Sequence, residues 1–130
     1  EYIATSKDLQ EVEQYIGEQL PSEYVYFSLN YNAGYFAFLN IYSLSPDSEW
    51  YLIDKNQENV NVIMPTGFVA FSDDETGGYY GFVKEGMNYS NEVYFFDSSE
   101  GRDAKSTEEC FFDFVINKGF QPDHFGLTLP

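Results

Sequence analysis

The chain has 130 residues, is 43% hydrophobic and 20% aromatic, and carries 22 acidic against 6 basic residues for a net charge of −16. That much apolar material in a chain of this length builds its own core and excludes a disordered segment, while the charge excludes nucleic acid and anionic membranes as partners. No apolar run approaches the roughly 20 residues of a membrane helix, and no basic-then-apolar leader opens the sequence.

Thr5-Ser6-Lys7-Asp8 reads as a capping box, in which Asp8 reaches back to the amide ahead of the first turn. Leu9, Val12 and Ile16 follow at helical spacing, with Glu11, Glu13 and Glu18 on other faces, so an amphipathic helix of about three turns is expected, weakened at Gly17. Leu20-Pro21-Ser22-Glu23-Tyr24 restarts a helix, with Pro21 in a first turn where its missing amide is no loss. Tyr24, Phe27 and Tyr31 form its apolar stripe and Asn32 to Gly34 ends it.

The period then changes. The run 35–44 (YFAFLNIYSL) is rich in aromatic and branched residues, and WYLID from Trp50 follows a turn-like SPDSE. VNVIM, FVAF, YYGFV and EVYFF are further short strands, separated by Pro-Thr-Gly, Asp-rich and Gly-rich breaks too short for crossover helices. Ser106 opens a last helix through STEECFFDFVINKG, with a capping box at Ser106 and Glu109 and a stop at Gly119. Residues 121–130 read as a tail. Two helices, a run of strands and a closing helix predict an α+β fold, an antiparallel β-sheet flanked by helices, in a single domain over 1–130.

Chemistry is sparse. His124, the sole histidine, falls in the tail and reads as a surface residue rather than a base, and no nucleophile elbow, phosphate loop, dinucleotide fingerprint or metalloprotease motif occurs. Cys110 stands alone, which rules out an internal disulfide and a thiolate zinc site and suits a small buried hydrophobe in a reducing compartment. The sequence starts at Glu1 rather than Met, which leaves room for a leader removed upstream; a cytoplasmic location is expected. In FSDDETGGYYGF, Asp73, Asp74 and Glu75 are adjacent and would point alternately up and down, unlike the alternating oxygens of a calcium loop. The stretch therefore reads as an acidic hairpin turn in which Gly77 and Gly78 supply positive φ, its tip flanked by Tyr79 and Tyr80. No catalytic, cofactor-binding or metal-binding residue is assigned.

Several stretches, taken in order, resemble the SUKH superfamily. LPSEYVYFSLNYNAG (Leu20 to Gly34) is similar to its signature helix, and VIMPTGFVAFSDDETGG to its Ile-Pro segment followed by a glycine-rich turn. NEVYFFDSSEG and STEECFFDFV resemble its Val-Tyr strand, charged hairpin and closing helix with a Phe-acid-Phe core. The likeness covers roughly Leu9 to Phe120. Tyr79 and Tyr80 depart from it, standing where many members place acids, so no pocket residue is carried over. The resemblance implies an antiparallel sheet flanked by helices, and a function: bacterial members are mostly immunity proteins that bind and neutralise toxins, many of them nucleases. Eukaryotic relatives include a scaffold for cell-wall synthesis.

A non-enzymatic immunity protein without a cofactor is thus expected, its partner a cognate protein toxin with a basic surface. Trp50, Tyr51, Asp73, Asp74, Glu75, Tyr79 and Tyr80 are the candidate partner-binding residues, aromatic anchors beside charge. The alternatives are a scaffold or regulatory interaction module, and a small-molecule or carbohydrate binder, which calls for a concave aromatic pocket with convergent carboxylates.

Overall fold

Helix α1 (Ser6–Ile16) starts where its capping box predicts: the Asp8 amide donates to Thr5 Oγ1 (3.2 Å) and the Thr5 amide to Asp8 Oδ2 (3.0 Å). It stops at Gly17, whose φ of 83° lets its amide return to the Glu13 carbonyl. Helix α2 (Ser22–Asn30) follows Pro21 and buries Tyr24 and Phe27. Tyr31, expected on the same stripe, lies past the last turn and stays 48% exposed. The computed structural model describes residues 3–31, 34–36, 39–57, 65, 67–74, 77–99 and 103–119. The expected strand VNVIM, the tail 121–130 and His124 lie outside them.

The strands are β1 (Gly34–Phe36), β2 (Leu39–Ile41), β3 (Phe68–Asp73), β4 (Gly78–Glu85), β5 (Asn88–Asp97) and β6 (Lys105–Cys110). They form one six-stranded sheet in sequence order, every neighbour antiparallel. The architecture is α+β, with helices flanking the sheet as the element order predicts.

Three local expectations are corrected. The run 35–44 is not one strand: it doubles back between β1 and β2, with Tyr35 opposite Asn40. WYLID is not a strand either. Its last three residues open helix α3 (Leu52–Gln57), whose Leu52 is fully buried. Among the described residues no strand continues beside β3 past Tyr42, and Asn56 takes the strand's place. Its side-chain oxygen accepts from the Ala70 amide and its nitrogen donates to the Ala70 carbonyl, both at 2.9 Å.

The Ser106–Glu109 capping box is the third. Those residues belong to β6, because the open edge of β5 offers their backbone a ladder: Tyr94 faces Ser106 and Glu92 faces Cys110. Residues 107–109 bulge out between those pairs, with Glu108 at a φ of 64°. The Thr107 hydroxyl donates to the Val93 carbonyl (2.8 Å) and the Ser106 hydroxyl to Glu92, so both are spent on the bulge rather than on a cap. Helix α4 begins only at Phe111 (Phe111–Phe114) and runs into a π-helical turn, Val115–Gly119.

The core on the face under α2 and α4 is a set of interlocked rings. Phe111 meets Tyr24 (5.5 Å between centroids), Phe27 (5.7 Å), Phe71 (5.2 Å) and Phe82 (5.9 Å), and Phe71 stacks on Phe82 at 4.7 Å. On the other face Phe68 lies across Gly81, where a Cβ would come within 2.6 Å of its ring, and meets Phe96. Phe111 is fully buried while its neighbour Phe112 is 38% exposed, so the resemblance-based Phe-acid-Phe core shifts to Phe111 and Phe114. Phe111→Ala should therefore destabilise the fold by about 3–5 kcal/mol, and Phe112→Ala by less than about 1 kcal/mol, in urea denaturation. Equal losses would contradict this packing.

Candidate protein-binding surface

The acidic stretch is a built hairpin. The Asp74 amide donates to the Gly78 carbonyl (3.0 Å), and Asp74 Oδ1 accepts the Gly78 amide (2.8 Å), so this carboxylate closes the turn between β3 and β4. Of the two glycines only Gly77 has positive φ, 100°. Gly78 is required for a different reason: a Cβ there would sit 2.4 Å from Asp74 Oδ2 and 2.5 Å from the Phe95 ring. Asp73, on β3, accepts the Tyr42 hydroxyl. Glu75 lies outside the described residues. Tyr79 is buried opposite Phe96, and Tyr80 turns to the other face, against Phe95 (5.0 Å) and Phe114 (4.7 Å). Burial, and then the Asp74 carboxylate, push the Tyr80 hydroxyl above the usual tyrosine range.

Trp50 and Tyr51 lie on the bend that leads into α3. The Trp50 amide donates to Ser48 Oγ (3.0 Å), its carbonyl accepts the Ser43 amide (2.7 Å), and the Lys55 ammonium sits 4.6 Å from the centre of its ring. Tyr51 is half-buried. Its hydroxyl is raised by burial and then by the carboxylates of Glu11, Asp54 and Asp8. Asn40 pairs with Asp73, and Ser43 bridges to Tyr51 three residues further on. The bend and the hairpin are thus neighbours along the β2 segment, about 10 Å apart at strand rise. They do not form one face, since Tyr79 and Tyr80 point to opposite sides of the sheet.

The exposed aromatic side chains lie elsewhere. Besides Tyr15 on α1, Tyr26 (54% exposed) meets Tyr31 (48%) and Phe112 edge to face, at 6.4 Å and 6.1 Å between centroids. They cross from α2 to α4, where the Phe112 amide donates to Glu23 Oε1 (2.9 Å). Sequence reasoning missed Tyr26 and gave Tyr31 and Phe112 to the core. The available signal was phase: Tyr26 falls off the Tyr24–Phe27 stripe, so a helix that buries those two turns Tyr26 outward.

A family model described as SMI1-KNR4 cell-wall matches residues 6–115, from the first residue of α1 to the first of the π-helical turn. The chain belongs to the SUKH superfamily. The comparison with curated proteins finds no match. In this SUKH domain the two tyrosines after the glycine pair are packing residues, one on each face of β4. Among the described residues no three His, Cys, Asp or Glu side chains come together as ion ligands, and no helix is long and apolar enough to cross a membrane.

A cleft of about 580 Å³ opens between α1 and the β4–β5 turn, lined by glutamines, Glu13, Glu18, Met87 and Asn88. It has no aromatic wall, and both carboxylates are occupied: Glu13 accepts the Leu20 amide and Glu18 pairs with Lys84, each at 2.8 Å. Cys110 is only half-buried, at the end of β6, which corrects the expectation of a core thiol. A backbone hydrogen bond at Asp113 favours its thiolate. Desolvation and the Asp113 and Glu23 carboxylates together outweigh that and raise the thiol above its usual range, so it is a poor nucleophile at neutral pH.

The hairpin geometry predicts that Gly78→Ala costs about 1–3 kcal/mol through overpacking against Asp74 and Phe95. Gly86→Ala, at a positive φ of 65° that Gly78 does not share and with nothing within 4 Å, costs about 1–2 kcal/mol from backbone strain alone. Thermal unfolding of both variants checks this, and a Gly78→Ala protein as stable as wild type would contradict it.

Proposed function

We propose that this SUKH domain is a cytoplasmic, non-catalytic immunity protein that binds a cognate protein toxin stoichiometrically and blocks it. The observation that carries the reading is the family match over residues 6–115, because bacterial members of the superfamily are mostly immunity proteins. The net charge of −16 supports a basic partner, such as a nuclease that holds phosphates with Lys and Arg. Of the residues first proposed for contact, Trp50, Tyr51 and Asp74 keep surface to offer. Tyr79, Tyr80 and Asp73 serve chiefly to build the sheet and its turn. Glu75 remains a proposed contact.

The cell-wall wording of the matching family model favours, as a second reading, a scaffold module with a partner that is not a toxin. A carbohydrate binder has less support, since the open cleft beside α1 lacks aromatic lining.

The test is titration of the toxin encoded beside this gene with purified protein. Activity should fall to zero at a 1:1 ratio. Association should approach ~10⁸ M⁻¹s⁻¹ at low salt and slow as salt screens the charges. Undiminished toxin activity at a tenfold excess would overturn the immunity reading in favour of the scaffold.

A further inference from the structure

From the exposed rings that bridge α2 and α4, we infer that the toxin-facing surface is the ridge of Tyr26, Tyr31 and Phe112, and that it receives an arginine-bearing face of the partner. This rests on the immunity reading and names the surface that performs it.

Tyr26, with Tyr31 on one side and Phe112 on the other, makes a run of rings open to solvent that is not a packing remainder. The buried members of the same helices, Tyr24, Phe27, Phe111 and Phe114, already fill the core. The ridge is also held rigid. Tyr31 stacks on the buried Phe27 at 5.6 Å, Phe112 lies 6.1 Å from the buried Phe111, and the Glu23 carboxylate on α2 accepts the Phe112 amide on α4. Anchors already fixed in place lose little entropy on binding. Ile116, four residues on from Phe112 and 56% exposed, extends the apolar ground along the same helical segment.

The charge beside these rings selects the occupant. Glu23 sits at the Phe112 amide, Asp113 follows Phe112 and is exposed, and the Glu109 carboxylate accepts the side-chain nitrogen of Asn117 one step further. Rings rimmed by carboxylates suit a guanidinium, which stacks on an aromatic face while its N–H groups reach oxygen. A second copy of this chain, equally acidic, would be repelled. The hairpin competes poorly for the role, because Tyr79 is buried and Tyr80 packs against Phe95 and Phe114.

The experiment measures binding and neutralisation of the neighbouring-gene toxin by wild type, Tyr26→Arg, a Tyr26→Ser/Phe112→Ser double variant, Asp113→Asn, Trp50→Ala and the remote controls Tyr15→Ser and Met87→Ser. Tyr26→Arg keeps a good helix former at an exposed position and places a cation against the expected arginines, so its folding is not at stake. It and the double variant should bind at least about tenfold more weakly, with unchanged thermal unfolding for Tyr26→Arg. Asp113→Asn should slow association several-fold at low salt, with the difference vanishing at high salt. The controls should match wild type. Wild-type-like binding by Tyr26→Arg, or a loss confined to Trp50→Ala, would overturn the assignment while leaving the immunity reading standing. If wild type itself fails to bind, the immunity reading falls and takes this assignment with it.

Discussion

Phe111 is the point at which the structure is pinned. It is the first residue of α4, and its ring meets Tyr24 and Phe27 from α2 and Phe71 and Phe82 from β3 and β4. Edge-to-face and tilted contacts of this kind add about 0.5–1.5 kcal/mol each beyond the area they bury. They also hold direction, since each ring presents its positive edge to a neighbour's negative face. Tyr24 adds a polar tie: its hydroxyl, buried among the rings, donates to the Tyr42 carbonyl at 2.7 Å and so reaches past β2. Burial keeps that hydroxyl protonated far beyond its usual range.

From this pin the outer surface follows. With Tyr24 and Phe27 turned inward, Tyr26 has to turn outward, and with Phe111 inward Phe112 comes up beside it. The ridge between α2 and α4 is thus a consequence of the core, and Glu23 locks its two sides together. Electrostatics act on a longer scale. Twenty-two acidic groups against six basic ones push the surface apart, and cations are used where elements meet: Lys84 ties the β4–β5 hairpin to Glu18 beyond α1, and Lys55 caps the Trp50 ring. The remaining negative field is what a basic partner would meet at a distance, and the rings are what it would meet on contact.

Much of the fold was legible in the sequence because local chemistry and tertiary structure agreed. The Thr5–Asp8 box and Gly17 bracket α1 through side-chain and backbone bonds made within the segment itself. FVAF, YYGFV and EVYFF carry aromatic residues for both faces of a sheet that is buried on two sides. Ser106–Glu109 misled because the same hydroxyls that cap a helix also fill a bulge, and only the neighbouring edge of β5 decides between them. WYLID misled for a similar reason, since the side chain of Asn56 takes over a strand's hydrogen bonds without its backbone. The candidate surface was less legible. Aromatic residues next to acids stand out in FSDDETGGYYGF, yet there they are turn and core. Tyr26 and Phe112 are exposed only by virtue of helix phase and the placement of α4.

The most direct test of the ridge as the toxin-facing surface is backbone hydrogen exchange on the free protein and on its toxin complex. Protection on binding is predicted at residues 23–31 and 111–117, with the turn at 74–78 unchanged. Protection centred on the turn, with α2 and α4 exchanging as in the free protein, would contradict the account.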